Sequence, residues 1–130
     1  MRQGRGNLDF STIDLSEGFV SYDGAASGIS QRILVSDFDR EARRGCRTRL
    51  LRLEKGAETP AAHTHDYWEE IWMLEGAMEV GDPSAPDGWR RLEAPAYACR
   101  EPGFLHGPVR APEGCLLLEF SWFETRGETA

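Results

Sequence analysis

Long apolar runs, paired cysteines and an excess of positive charge are all missing from this sequence, and each absence removes a class of protein. The longest aliphatic run is Leu116-Leu117-Leu118, far short of the roughly 20 apolar residues that a membrane-crossing helix needs. The stretch Met1 to Leu15 carries two arginines but no apolar segment of secretory-signal length. The expectation is a cytoplasmic protein with no membrane partner. Cysteine is limited to Cys46, Cys99 and Cys115, an odd count without C-x-x-C spacing, so neither a disulfide framework nor a thiolate zinc knuckle is indicated. They read as free thiols used in packing. Lys and Arg number 15 against 22 Asp and Glu, for a formal charge of -7, so a polyphosphate partner would meet net repulsion and nucleic acid is not expected. The clusters Arg40 to Arg44 and Arg90-Arg91 lack the interleaved aromatics of a base-stacking platform and read as solvated surface.

What is present is a chain of 130 residues, 40% hydrophobic and 28% charged, which is long enough to bury a core and short enough to be one domain over 1–130. Glycine and proline interrupt it at short intervals, from Gly18, Gly24 and Gly28 through Gly81-Asp82-Pro83 to Pro112 and Gly114. Between them lie runs rich in aliphatic and aromatic residues: Gln31 to Ser36, Arg49 to Leu53, Glu70 to Leu74, Met78 to Val80, Tyr97 to Cys99 and Cys115 to Phe123. Short runs bounded by turn residues predict an all-β sandwich or barrel. Val35 to Arg44 alone has helical promise, and it is short and heavily charged; Met1 to Asn7 and Thr125 to Ala130 read as frayed ends. A strand with one wet face alternates apolar and polar residues cleanly, whereas Glu69 to Leu74 and Cys115 to Trp122 become apolar on both faces. An exposed face of Trp72 and Leu74 with Leu116, Leu118, Phe120 and Trp122 would form a large apolar patch, which predicts a homodimer.

Histidine is scarce too, and its placement carries the chemistry. His63 and His65 are two apart, so on an extended chain they share a face. Glu69 follows a turn at Asp66-Tyr67-Trp68 and faces the same cavity if the strand resumes there, and His106 comes after the turn Pro102-Gly103-Phe104-Leu105. Taken singly, each histidine would read as an exposed or satisfied residue. A same-face pair with a carboxylate at this offset instead suits divalent Fe, Mn, Co, Ni, Cu or Zn, which accept neutral nitrogen and anionic oxygen together.

Gly56, His63-Thr64-His65, Glu69 and Gly76 resemble the first motif of the cupin superfamily, with one extra residue in the first gap. The spacing to Gly76, together with strand parity, selects Glu69 over Glu70. Gly103-Phe104-Leu105-His106 resembles the end of the second cupin motif. Glu101 stands where that motif has proline, Pro95 replaces its leading glycine and Arg110 takes its asparagine position; these changes touch turns and leave the ligand types intact. With motifs at 56–76 and 102–110, the resemblance implies a single cupin double-stranded β-helix, a jelly-roll barrel. It also implies one divalent ion held by His63, His65, Glu69 and His106, Fe2+ foremost, with Zn2+, Mn2+, Ni2+ and Co2+ as alternatives. The loop Pro102 to Pro108, followed by Glu113-Gly114-Cys115-Leu116-Leu117, is similar to the subgroup that includes the cupin part of the ChrR anti-sigma factor and the dihydroxyacetophenone and acetylacetone dioxygenases.

That resemblance implies a metal-dependent enzyme acting on a small organic molecule, foremost an Fe(II)-type dioxygenase cleaving a carbon-carbon bond next to carbonyl or enol oxygens. A non-redox isomerase, cyclase or lyase, and a non-enzymatic metal- or ligand-sensing module, are the alternatives. Beyond the ligands, Arg49 shares a strand face with Leu51 and Leu53, and Glu119 with Cys115 and Leu117. If these faces point inward, Arg49 and Glu119 are polar groups in an apolar cavity, serving as substrate contacts or as partners of each other. Tyr97 is a candidate proton donor. Tyr67 and Trp68 could rim a pocket or simply pack, and Glu70 is expected on the face opposite Glu69.

Overall fold

The computed structural model describes residues 6–59 and 61–124. The runs between turns form eight strands: β1 Ile29–Ser36, β2 Cys46–Leu53, β3 Ala57–Glu58, β4 Trp68–Gly81, β5 Trp89–Glu93, β6 Ala96–Arg100, β7 Val109–Ala111 and β8 Cys115–Trp122. No described residue is helical, and no helix is long and apolar enough to cross a membrane. The segment with helical promise ends β1 and then turns back through a bridge between Asp39 and Arg44. Its acidic side chains bond to backbone amides instead of extending a helix: Asp39 accepts from the amide of Ala42 and Asp37 from that of Cys46. Of the expected frayed ends, only Gly6 and Asn7 lie within the described residues, and they have no regular structure.

Two runs that read as separate strands in the sequence are one. β4 continues from Trp68 to Gly81, and its register against β8 shifts between Met73 and Glu75. Gly76 follows with φ +83°, and a Cβ there would fall 2.3 Å from the Gly114 carbonyl oxygen, so this bend accepts only glycine. The first half of β4 pairs with β8 and β6, the second half with β5 and β7. Two antiparallel sheets, β1-β2-β8-β4-β6 and β3-β7-β4-β5, are thereby folded over one shared strand.

Register across the larger sheet lays its inward side chains out in rows. Arg47, Ser121, Glu69 and Arg100 form one row; Arg49, Glu119, Ile71 and Ala98 the next; Leu51, Leu117, Met73 and Ala96 the third. The inner wall is therefore polar at one end and apolar at the other, and the apolar rows belong to a core that includes Ile29, Leu53, Ala57, Met78 and Cys115.

Outward faces differ from expectation in two places. Leu116 is only 1% exposed, and Leu118, Phe120 and Trp122 are half-buried, which leaves Trp72 (45% exposed) and Leu74 (42%) as the open part of the expected patch. Beside them an N-terminal segment is strapped to the sheet: Arg32 Nη1 donates to the carbonyls of Asp14 and Glu17, while Arg52 donates to that of Leu15 and stacks on Phe19. Cys115 is buried as expected of a packing thiol, but Cys99 is exposed, because β6 alternation puts it on the outer face with Tyr97.

Candidate metal centre

A cavity of about 490 Å³ opens at the polar end of the barrel. On its wall one donor atom each from His65, Glu69 and His106 lies within 4.8 Å of the other two. Glu69 enters from the start of β4, His65 from the bend before it, and His106 from the segment ahead of β7, which the paired backbones of His63 and His106 (2.8 and 2.9 Å) clamp alongside. His63 lines the same cavity but is more exposed, its ring 4.4 Å from that of His106 and 6.5 Å from that of His65. Three of the four ligands named from the sequence thus converge directly, and the fourth stands at their edge.

Several features of this cluster suit an ion. His65 Nδ1 lies 3.2 Å from the Tyr67 carbonyl, which can only accept; the tautomer that donates from Nδ1 to this carbonyl would present the Nε2 lone pair to an ion. The imidazole also stacks flat on the Tyr67 ring, centroids 4.0 Å apart, which fixes its plane. His65 Nε2 sits 3.1 Å from His106 Nε2 and 3.4 Å from Glu69 Oε2. Bonds of about 2.0–2.2 Å to one ion require donor-donor edges of roughly 3.0–3.5 Å, so the two measured edges fit. Burial, reinforced by the charge of Arg100, pushes His106 down to about 4 and keeps it neutral at neutral pH. Burial pushes the Glu69 carboxyl the other way, but His65 and Arg100 outweigh it and hold the group at about 2, ionised. Neutral imidazole and anionic carboxylate are the forms that bind a metal.

Arg100 was not legible as part of this site. Its Nη1 donates to Glu69 Oε1 at 3.0 Å and leaves Oε2 facing the histidines. The signal was parity in β6, where Ala96, Ala98 and Arg100 alternate with Tyr97 and Cys99. The structure does not bring Tyr97 to the cavity. It pairs with Trp72, which points outward, so Tyr97 is 50% exposed, and its hydroxyl bonds to Glu70 on the same outer face.

Arg49 and Glu119 do line the cavity, on facing residues of β2 and β8. Arg49 Nε donates to Glu119 Oε1 at 2.7 Å, making the buried pair that shared strand faces allowed. Tyr67 lines the cavity as well, and so does Tyr22, from the segment before β1, which nothing in the sequence singled out. Trp68 faces away, stacked on Trp122 with its indole N–H donated to Glu124.

A curled antiparallel barrel with histidines and a glutamate gathered on its inner wall defines a cupin. The chain belongs to the ChrR Cupin-like domain family, whose model matches residues 20–123. Among solved structures it is similar to an acetylacetone dioxygenase from Acinetobacter johnsonii (TM-score 0.64, 20% identity, covering 94% of this chain and 81% of that one). It is also similar to an RmlC-like cupin from Shewanella frigidimarina (0.61, 20%, 95% and 97%) and to the polyketide cyclase RemF from Streptomyces resistomycificus (0.61, 18%, 88% and 80%). At these identities the likeness is one of fold. No curated protein matches the sequence.

Proposed function

We propose that this protein is a metal-dependent enzyme acting on a small oxygen-bearing organic molecule, foremost as an Fe(II)-type dioxygenase that cleaves a carbon-carbon bond beside carbonyl or enol oxygens. The observation that carries this reading is the convergence of His65, Glu69 and His106 on the wall of a cavity large enough for a small ligand, with His63 beside them. A divalent ion bound there would act as a Lewis acid that favours the enolate form of a chelating substrate. The chain's own residues prepare that site. Tyr67 stacks on His65 and fixes the plane of its ring, and Arg100 occupies one oxygen of Glu69 so that the other points at the histidines. Ile71, Leu51 and Leu117 supply an apolar wall that keeps water from the reacting carbons.

The fold likeness to an acetylacetone dioxygenase supports the oxidative reading, and that to a polyketide cyclase supports a non-redox one on the same site. A third reading, ligand sensing without turnover, draws on the ChrR Cupin-like assignment. Metal analysis of protein purified without chelators, followed by oxygen-electrode measurements with diketones and hydroxylated aryl ketones after Fe2+ loading, separates them. Stoichiometric oxygen uptake with substrate loss is the expected result. Substrate loss without oxygen uptake selects non-redox chemistry, ligand binding without loss selects the sensor, and failure to retain any divalent metal overturns all three.

A further inference from the structure

The metal cluster leaves the second polar row of the inner wall unused. There Glu119 Oε1 accepts from Arg49 Nε at 2.7 Å, from Arg47 Nη2 at 3.3 Å and from Ser121 Oγ at 3.3 Å, and Arg49 Nη1 donates to Gln31 Oε1 at 2.7 Å. Among the described residues no hydrogen bond engages Arg49 Nη2 or Glu119 Oε2, and Arg47 Nε is buried without a partner. Two guanidiniums therefore share one carboxylate, an excess of positive charge on the inner wall of a chain whose formal net charge is -7. Burying such a charge is costly unless an anion completes it.

Position gives this pole a role. Glu69 stands opposite Ser121 and Ile71 opposite Glu119, so Glu69 and Glu119 are diagonal neighbours on one face, about 7–8 Å apart in backbone terms. Arg49 and Glu119 line the same cavity as His65, Glu69 and His106, one row nearer the apolar floor of Leu51 and Leu117.

We propose that Arg49 anchors a carboxylate or similar oxyanion at the far end of the ligand, so that the substrate class is a small keto or hydroxy acid. Its oxygen-bearing head meets His65, Glu69 and His106, and its anionic end meets the open edge of Arg49. Only the placement of the head rests on the metal-dependent reading; the anion pole stands on Arg47, Arg49, Gln31 and Glu119. A guanidinium suits this task because its planar fork keeps donors to spare after pairing with Glu119 and Gln31.

A matched pair of probes tests it: 2-oxoglutarate and 2-oxopentanoate share a chelating 2-oxo acid and a chain length, and differ in whether the far end is charged. Calorimetric titrations of the full chain should show both probes binding the metal-free protein through Arg49, each weakened about tenfold or more in Arg49→Gln, and 2-oxoglutarate binding about tenfold or more tighter than 2-oxopentanoate once zinc engages the shared 2-oxo acid, the effect of one charge-assisted hydrogen bond. The preference should vanish in Arg49→Gln and persist in Glu119→Gln. Equal affinities in wild-type protein where zinc tightens the probes, absence of binding by both probes, or affinities and preference undiminished in folded Arg49→Gln would overturn the proposal. The wild-type comparison stands even if Arg49→Gln does not fold. Zinc that tightens neither probe would count against the metal reading alone, since binding of a carboxylate by Arg49 in the metal-free protein does not depend on zinc.

Discussion

Glu69 and Glu70 are the same side chain one peptide apart, and β4 places them in opposite surroundings. Glu69 points inward with Ile71 and Met73, is buried, and meets Arg100 and His65. Glu70 points outward with Trp72 and Leu74 and bonds to the exposed Tyr97 hydroxyl. The inner face gathers cations and imidazoles around a carboxylate, and the outer face surrounds an identical group with aromatic and aliphatic surface. In a strand, the chemistry of a residue is decided by the parity of its position as much as by its type.

The largest effect expected within this comparison is on the inner face. His106→Ala removes a buried donor supplied by a segment other than that of His65 and Glu69, and elemental analysis should find most of the metal gone from a protein whose far-ultraviolet dichroism is unchanged. The outer face is tested next. We propose that a second copy of this chain covers Trp72, Leu74 and Tyr97, so light scattering should give the mass of two chains for the wild type and of one for Trp72→Arg; a wild-type monomer would leave that face without this occupant. The two glutamates then provide a direct contrast. Glu69→Ala should weaken metal affinity by about tenfold or more, on the scale of losing one oriented ligand contact, while Glu70→Ala should leave it unchanged. Metal loss in Glu70→Ala with retention in Glu69→Ala would shift the site by one residue.

The smallest effect is in the metal-free protein and concerns pH. His106 titrates at about 4 when folded and near ~6.5 when unfolded, so the unfolded state binds more protons between these values. Its contribution to stability is complete above the unfolded value and fades as pH falls toward 4. Glu69, held at about 2 against an ordinary 4.5, adds stability that is complete above 4.5 and is lost as pH falls from there toward 2. A series of thermal melts should show Tm falling in both windows, with Glu69→Gln flattening the lower one.

Much of this arrangement was legible in the sequence because strand alternation is a local signal. It placed Arg49 and Glu119 on faces that could meet, separated Glu69 from Glu70, and located the histidines near them. What it left out depends on pairing between distant segments. Tyr97 reads as inward or outward with equal ease until β6 docks with Tyr97 opposite Trp72, and that register is also what brings Arg100 to Glu69. His63 shares a parity with His65, but its backbone bridge to His106 and the bend at Asp66 and Tyr67 leave its ring farther from His65 than the ring of His106 is. Leu116 read as exposed because nothing in the local pattern announces that Arg32 and Arg52 tie an N-terminal segment to the outer face.

The continuity of β4 through Gly76 has a consequence in time as well as space. Its amides and carbonyls are held by four neighbours, β5, β6, β7 and β8, so no single strand can peel away and free it. Amide hydrogens in its first half should exchange with solvent only on the timescale of global unfolding, while those of β3 and the N-terminal strap exchange through local opening. The carboxylate of Glu69 is thus carried on the strand expected to open last, and an ion bound with His65 and His106 would meet a cluster whose shape is already set.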